Sequence, residues 1–234
     1  MRIQDYRKMD MKQFGIDTSC DVYKIHVIVD NVNECVQETI RIISDTSWVT
    51  RLDAIDQISF SAAFERTVDK LVNDIFSQVQ NEITEAFGEY MVSVSAQSSL
   101  VESFDHIRIP LAELLKEKVS GNPGFDFHTE SHTRYIAFGE AKFSMLKTPC
   151  TKALKQIVEF IDLGKDKIEL RTLKSFVTKQ AIEKATKNEK AYVAAFSLNS
   201  TKPDKIIIKA LSSEFIKPLL EYPELYLIGV EVVA

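Results

Sequence analysis

Asp126, Glu140 and Lys142 fall in two apolar segments, Gly124-Phe125-Asp126-Phe127-His128 and Ile136-Ala137-Phe138-Gly139-Glu140-Ala141-Lys142-Phe143. Residues 124–130 and 135–144 read as two strands separated by a short polar turn. Residues two apart on a strand share a face, so Glu140 and Lys142 project together. Pairing of the two strands then brings Asp126 toward both. Two carboxylates and an ammonium at one strand end suit a hard divalent cation, Mg²⁺ or Mn²⁺, held by acidic oxygens beside an amine that orients water. The substrate expected of such a trio is a phosphodiester, because the cation also offsets the charge that builds on the attacked phosphorus centre and the leaving oxygen.

The pattern [DE]xK is common, and the chain holds a second copy, Asp10-Met11-Lys12, with no strand around it. Glu140-Ala141-Lys142 differs in three ways: an apolar strand precedes it, an aspartate stands on a neighbouring strand, and a helix follows that leads into a basic segment. A plain surface ion pair at a strand end is the competing reading. A different metal set is also conceivable, since His128, Glu130 and His132 alternate with Asp126 and would share its face on an extended strand. Their plainer reading is solvated polar residues near a turn. Lys152 and Gln156, on the polar edge of the following helix, are candidate phosphate contacts or ordinary helix surface.

The phrase GFDF, then YIAFGEAKF, then an amphipathic helix resembles the core of the PD-(D/E)xK nuclease superfamily, most closely over residues 109–163. That family usually has Pro-Asp in its first motif, whereas Phe125 precedes Asp126 here. Within it, the fuller wording GFDFHTES with GEAKF looks most like the nuclease subunit of Hachiman anti-phage defence systems. The resemblance implies Asp126, Glu140 and the backbone carbonyl of Ala141 as metal ligands, Lys142 as the group orienting water, and a further Glu on the preceding helix, for which Glu113 is the positional candidate. It also implies DNA as substrate and a helicase partner. Glu113 lies roughly opposite the Leu111, Leu114 and Leu115 face, which fits a solvated position equally well.

The elements that must hold these residues follow from periodicity. Residues 21–29 read as a strand and 34–43 as a helix. Apolar residues at Phe64, Val68, Leu71, Ile75, Val79, Ile83 and Phe87 predict one long amphipathic helix over 61–87, stopped at Gly88. A short strand is expected at 90–94. A helix carrying Leu111, Leu114, Leu115 and Val119 then runs from Pro110 to a stop at Gly121. A helix is expected over 149–163, Lys-rich helix over 166–188, strands at 191–198 and 224–233, and a helix near 212–220. Together these give an α/β fold, a three-layer restriction-endonuclease-like core with a mixed central sheet over about 90–234. The domain boundary is set near residue 100: residues 1–100 form an α-rich or mixed region that covers the core or docks a partner, and 101–234 form the nuclease-like domain.

With 234 residues, 45% hydrophobic and 27% charged, the chain can bury a sizeable core. Residues 1–141 carry 13 Lys and Arg against 23 Asp and Glu, 142–209 carry 15 against 7, and 210–234 carry 1 against 4, so one segment is strongly basic within a chain of net charge −5. A basic face beside clustered carboxylates suits a protein that grips a polyanion. No apolar run is long enough to span a membrane. The amino terminus resembles neither a secretory signal nor a lipid anchor, which makes the cytoplasm the expected compartment. Cys20, Cys35 and Cys150 lack zinc or disulfide spacing, and neither GxGxxG nor GxxxxGK[ST] occurs, so no nucleotide cofactor is expected. Two other classes remain: a catalytically idle nuclease-like subunit that binds nucleic acid or a partner, and a hydrolase built on His128, Glu130 and His132.

Overall fold

A computed structural model describes residues 1–76, 83–115, 124–200 and 202–233 of the chain. Its centre is one seven-stranded, mixed, strongly curled sheet. The strands are β1 (Arg2–Lys8), β2 (Asp21–Val29), β3 (Ile107–Arg108), β4 (Phe127–Glu130), β5 (Ile136–Lys142), β6 (Ala191–Leu198) and β7 (Glu224–Val232), in the spatial order β1-β2-β7-β6-β5-β4-β3. The middle strands β2, β7, β6 and β5 are parallel, while β1 at one edge and β4 and β3 at the other run antiparallel to their neighbours. β6 is buried along its whole length, as its nearly unbroken apolar sequence Ala191-Tyr192-Val193-Ala194-Ala195-Phe196 requires of a parallel strand covered on both faces.

Alternation along the strands splits the core in two. Ile136, Phe138, Tyr192, Ala194 and Phe196 join one cluster, and Ala137, Ala141, Val193 and Ala195 join the other. The second cluster is covered by α1 (Val32–Ile43), α2 (Ala54–Lys70), α3 (Glu85–Phe104) and α4 (Ala112–Leu115). The first is covered by α5 (Cys150–Asp162), α6 (Lys165–Ile168), α7 (Leu170–Leu173), α8 (Lys179–Thr186), α9 (Pro203–Ala210) and α10 (Ile216–Leu219). The helix starts are written locally. The side chains of Asn31, Asp53, Thr84 and Thr178 accept backbone N–H bonds at the first turns of α1, α2, α3 and α8, and Pro203 opens α9. Asp10 of the second [DE]xK copy does the same for a short 3₁₀ turn, Met11–Phe14, so that copy is a capping motif.

Several expected elements differ. Residues 90–94 lie in the interior of α3 instead of forming a strand, and Gly88 is inside that helix instead of ending one. α3 is buried almost all round from Phe87 to Leu100, and such a helix has no polar face from which its period can be read. The long helix expected over 61–87 is replaced by α2, which ends at Lys70, a π-helical turn Leu71–Phe76, and the start of α3 at Glu85. The Lys-rich helix over 166–188 is broken into α6, α7 and α8, and near 212–220 only the short α10 forms, after an unanticipated α9. Val79, Val119, Gly121 and Pro123 lie outside the described residues. The boundary expected at residue 100 falls inside α3, and β1 and β2 are hydrogen-bonded into the same sheet as the other strands. Among the described residues no helix is long and apolar enough to cross a membrane.

Candidate active site

β4 and β5 pair antiparallel with Phe127 opposite Gly139, so the hairpin expected from the sequence forms and Asp126 sits just before β4 begins. The Asp126 N–H donates to the Gly139 carbonyl at 2.9 Å, and its Oδ2 accepts from the Ala141 N–H at 2.8 Å. Lys142 Nζ lies 2.7 Å from Glu140 Oε1. The three side chains singled out by spacing therefore meet at one end of β5. Gly139 is demanded by this pairing, because a Cβ there would overlap the Phe127 ring.

A cavity of about 120 Å³ opens beside them, lined by Glu89, Tyr90, Ser93, Glu113 and Asp126 among others. Glu113, expected either as a ligand or as solvated surface, is on this wall, with its carboxylate hydrogen-bonded to the Tyr90 hydroxyl. Glu89 was not foreseen. Its Oε1 lies 3.4 Å from Lys142 Nζ, the second carboxylate on that ammonium. Gly88 makes this approach possible, since a Cβ there would run into the ring of Phe143 just past the end of β5. Residues before 100 thus line the cavity through α3. One signal was present in the sequence: Ala86, Glu89, Tyr90 and Ser93 have the spacing of one helical face, and they were hidden by reading residues 90–94 as a strand.

The alternative set separates. His128 is fully buried, with Nε2 2.7 Å from Glu169 Oε2. Glu130 is fully buried as well, accepting from Thr178 and paired with Arg134. His132 is exposed in the turn. Asp126 precedes the strand and faces the α3 side, so the expected shared face does not exist. Glu169 instead supports the site from behind: its other oxygen accepts the Phe125 N–H and fixes the turn that carries Asp126. Lys152 is exposed and Gln156 half-buried on α5, and neither lines the acidic cavity.

The electrostatics are those of crowded carboxylates in a dry setting. Burial pushes the Asp126 carboxyl up to about 6, with Glu89 and Glu113 adding to the rise while Lys142 and the Ala141 N–H oppose it. Burial also raises Glu140 well above the ordinary carboxylate range, helped by repulsion from Asp126 and resisted by Lys142. For Lys142 burial works downward, but Glu140, Asp126 and Glu89 outweigh it and hold the ammonium above its usual value. A carboxyl raised in the folded state binds more protons folded than unfolded between its ordinary pKa and its raised one, so stability falls as pH rises through that window. We expect the metal-free chain to lose on the order of 1–2 kcal/mol from this source between pH 4 and pH 6. Asp126→Asn, which keeps an acceptor for the Ala141 N–H, should flatten that part of the profile in urea titrations at successive pH values. An unchanged slope would show that Asp126 is not the strained group.

Glu140 Oε2 is buried without a hydrogen-bond partner. An orphaned carboxylate oxygen next to a second carboxylate is what a cation would satisfy. A strand residue presents its N–H and C=O to the same edge, so Ala141, whose N–H faces Asp126, turns its carbonyl the same way. Among the described residues no three acidic, His or Cys side chains stand as a ready metal cluster. Two carboxylates and one carbonyl match Mg²⁺ nonetheless, since that ion keeps several waters and takes only one or two protein carboxylates.

No family model matches this chain, and no curated protein matches it in sequence. The site is read from its own geometry.

Proposed function

We propose that this chain is a metal-dependent nuclease of the PD-(D/E)xK type that hydrolyses DNA phosphodiester bonds, acting as the effector of an anti-phage defence complex with a helicase partner. The observation that carries the reading is the meeting of Asp126, Glu140 and Lys142 beside a cavity, with a buried Glu140 oxygen left unpartnered. The order of elements supports it: an antiparallel β4–β5 hairpin, then α5, then β6 parallel to β5. The resemblance to defence nucleases is the ground for the helicase partner.

Asp126, Glu140 and the Ala141 carbonyl would hold Mg²⁺ or Mn²⁺, which when bound acidifies water and offsets phosphate charge. Lys142 holds a proton on Nζ throughout the neutral range and can donate hydrogen bonds to a water or a phosphate oxygen, while Glu140 fixes where that ammonium points. Glu89 and Glu113 line the cavity beside Asp126 and add negative charge to it. Hydrolysis adds water across one P–O bond, leaving a phosphate monoester and a free hydroxyl.

The apolar stripe from Phe64 to Phe87, which could cover the core or dock a partner, is mostly spent on the core among the described residues. Phe64, Leu71 and Phe87 are buried, and Val68 and Ile83 pack against them. Among the described residues the large exposed apolar side chains of α2 are Ile55 and Ile58. The deciding experiment is cleavage of plasmid and single-stranded DNA by the purified chain, alone and with the proteins that co-purify, in Mg²⁺ or Mn²⁺ against EDTA. Metal-dependent nicking is expected. No cleavage in any of these mixtures would leave the idle, binding-only subunit as the better reading.

A further inference from the structure

A second pocket, of about 270 Å³, lies between α1, α3 and β3. It shares Leu111 with the acidic cavity, and the two are stepped along α3, with Ser93 in one and Gln97 in the other. Ser93 and Gln97 are four residues apart, about 6 Å along the helix axis.

Its chemistry is the reverse of its neighbour's. Arg41, Arg51 and Arg108 line it, together with Trp48. Arg108 is half-buried and, among the described residues, hydrogen-bonded to neutral groups: Nη2 donates to Ser98 Oγ at 2.7 Å and Nη1 to Gln97 Oε1 at 3.4 Å. Gln97 is itself fixed by donating to the carbonyls of Ile109 and His128, so the fork is held in place. Burial lowers the pKa of Arg108, resisted by Glu38 and Glu102 and helped by repulsion from Arg41. Two carboxylates share the pocket. Glu38 is engaged in a bidentate pair with Arg41 at 2.6 and 2.8 Å, and Asp45 accepts the Ser47 N–H. The lining holds three cations against two anions that are both already engaged, and Glu102 outside it also acts on Arg108; a phosphodiester, with one negative charge, is the anion this lining can take.

We propose that this pocket is a phosphate subsite for the nucleic-acid strand whose scissile bond lies in the acidic cavity, with Arg108 and Arg51 holding a neighbouring phosphodiester and Trp48 walling the sugar. The placement beside a cutting site rests on the nuclease reading; the affinity for a strand does not. A planar guanidinium suits phosphate oxygens, and anchoring a flanking phosphate positions the next one without reading sequence.

The test is binding of a fluorescent 12-nucleotide single-stranded DNA at low salt, measured in EDTA and in Ca²⁺, by the whole chain and by its Arg51→Ala and Arg108→Gln variants. Arg51 is exposed, so its replacement leaves the fold intact even if Arg108→Gln does not. Each variant should weaken binding about tenfold and reduce the salt slope by about 0.7, the single-strand value per phosphate contact. The Arg51 effect should vanish on an oligonucleotide with neutral methylphosphonate linkages. Unchanged affinity and slope in both variants, no binding by the wild-type chain, or inorganic phosphate bound as tightly as the oligonucleotide would each overturn the subsite. Cleavage assays on the same samples separate the two readings: metal-dependent cutting with arginine-independent binding sinks the subsite alone, and arginine-dependent binding without cutting sinks the nuclease alone.

Discussion

Glu140→Gln and Lys142→Met are each expected to lower DNA cleavage by about 10³-fold with the fold retained. The first replaces a carboxylate whose Oε2 is buried without a hydrogen-bond partner and whose Oε1 holds Lys142 at 2.7 Å. The second removes the only amine in contact with Glu140 among the described residues. It also leaves Glu140 buried without its ammonium, so Lys142→Arg serves as a second variant that keeps the charge while changing the position of the donor. Lys12→Ala, in the capping copy of the motif, should cut at the wild-type rate. Rates are to be measured under saturating Mg²⁺ with folding followed by circular dichroism. Folded Glu140→Gln that cuts normally would remove the site assignment, whatever the chain's activity.

The largest stability effect is expected away from the site. Lys190 and Asp166 are both buried, and the ammonium is hydrogen-bonded to Asp166 Oδ2, which also accepts from the Tyr192 hydroxyl at 3.1 Å. Asp166 Oδ1 has no partner. Removing one member strands the other charge in the core, so Lys190→Met should cost about 3–5 kcal/mol in urea unfolding. The double variant Lys190→Met/Asp166→Leu should recover most of that loss, because replacing a buried pair by apolar groups is often neutral or better. A single-variant loss below about 1 kcal/mol would mean that water reaches the pair. The pair joins α6 to the start of β6, under the sheet face that carries α5. Its loss is expected to lower stability before it touches chemistry at the other end of β5.

The chain writes its strands legibly and its central helix poorly. β2, β5, β6 and β7 were readable because Asp21–Val29 is rich in β-branched residues and Ala191–Leu198 is a short, almost unbroken apolar run. The hairpin that brings Asp126 to Ala141 followed from alternation and one short polar turn. α3 was not readable. Tyr90, Met91, Val92 and Val94 favour a strand on propensity, and a helix buried on nearly every side offers no polar stripe to contradict them. That misreading concealed Glu89, which lines the cavity from a segment before residue 100.

Sequence alone therefore determined which residue types meet on the β4–β5 hairpin, because strand pairing is local and its period fixed. Only the tertiary structure decided what surrounds them. His128 and Glu130 turned inward to Glu169 and Thr178, since packing of α7 and α8 against β4 supplied partners that a reading of 126–132 cannot see. Glu113 and Glu89 became walls of one cavity, and Arg108 was buried beside Gln97, through contacts between segments distant along the chain. Such contacts are set by how helices settle on a curled sheet, where Gly88 permits an approach that a Cβ, overlapping the Phe143 ring, would block and that no periodicity encodes.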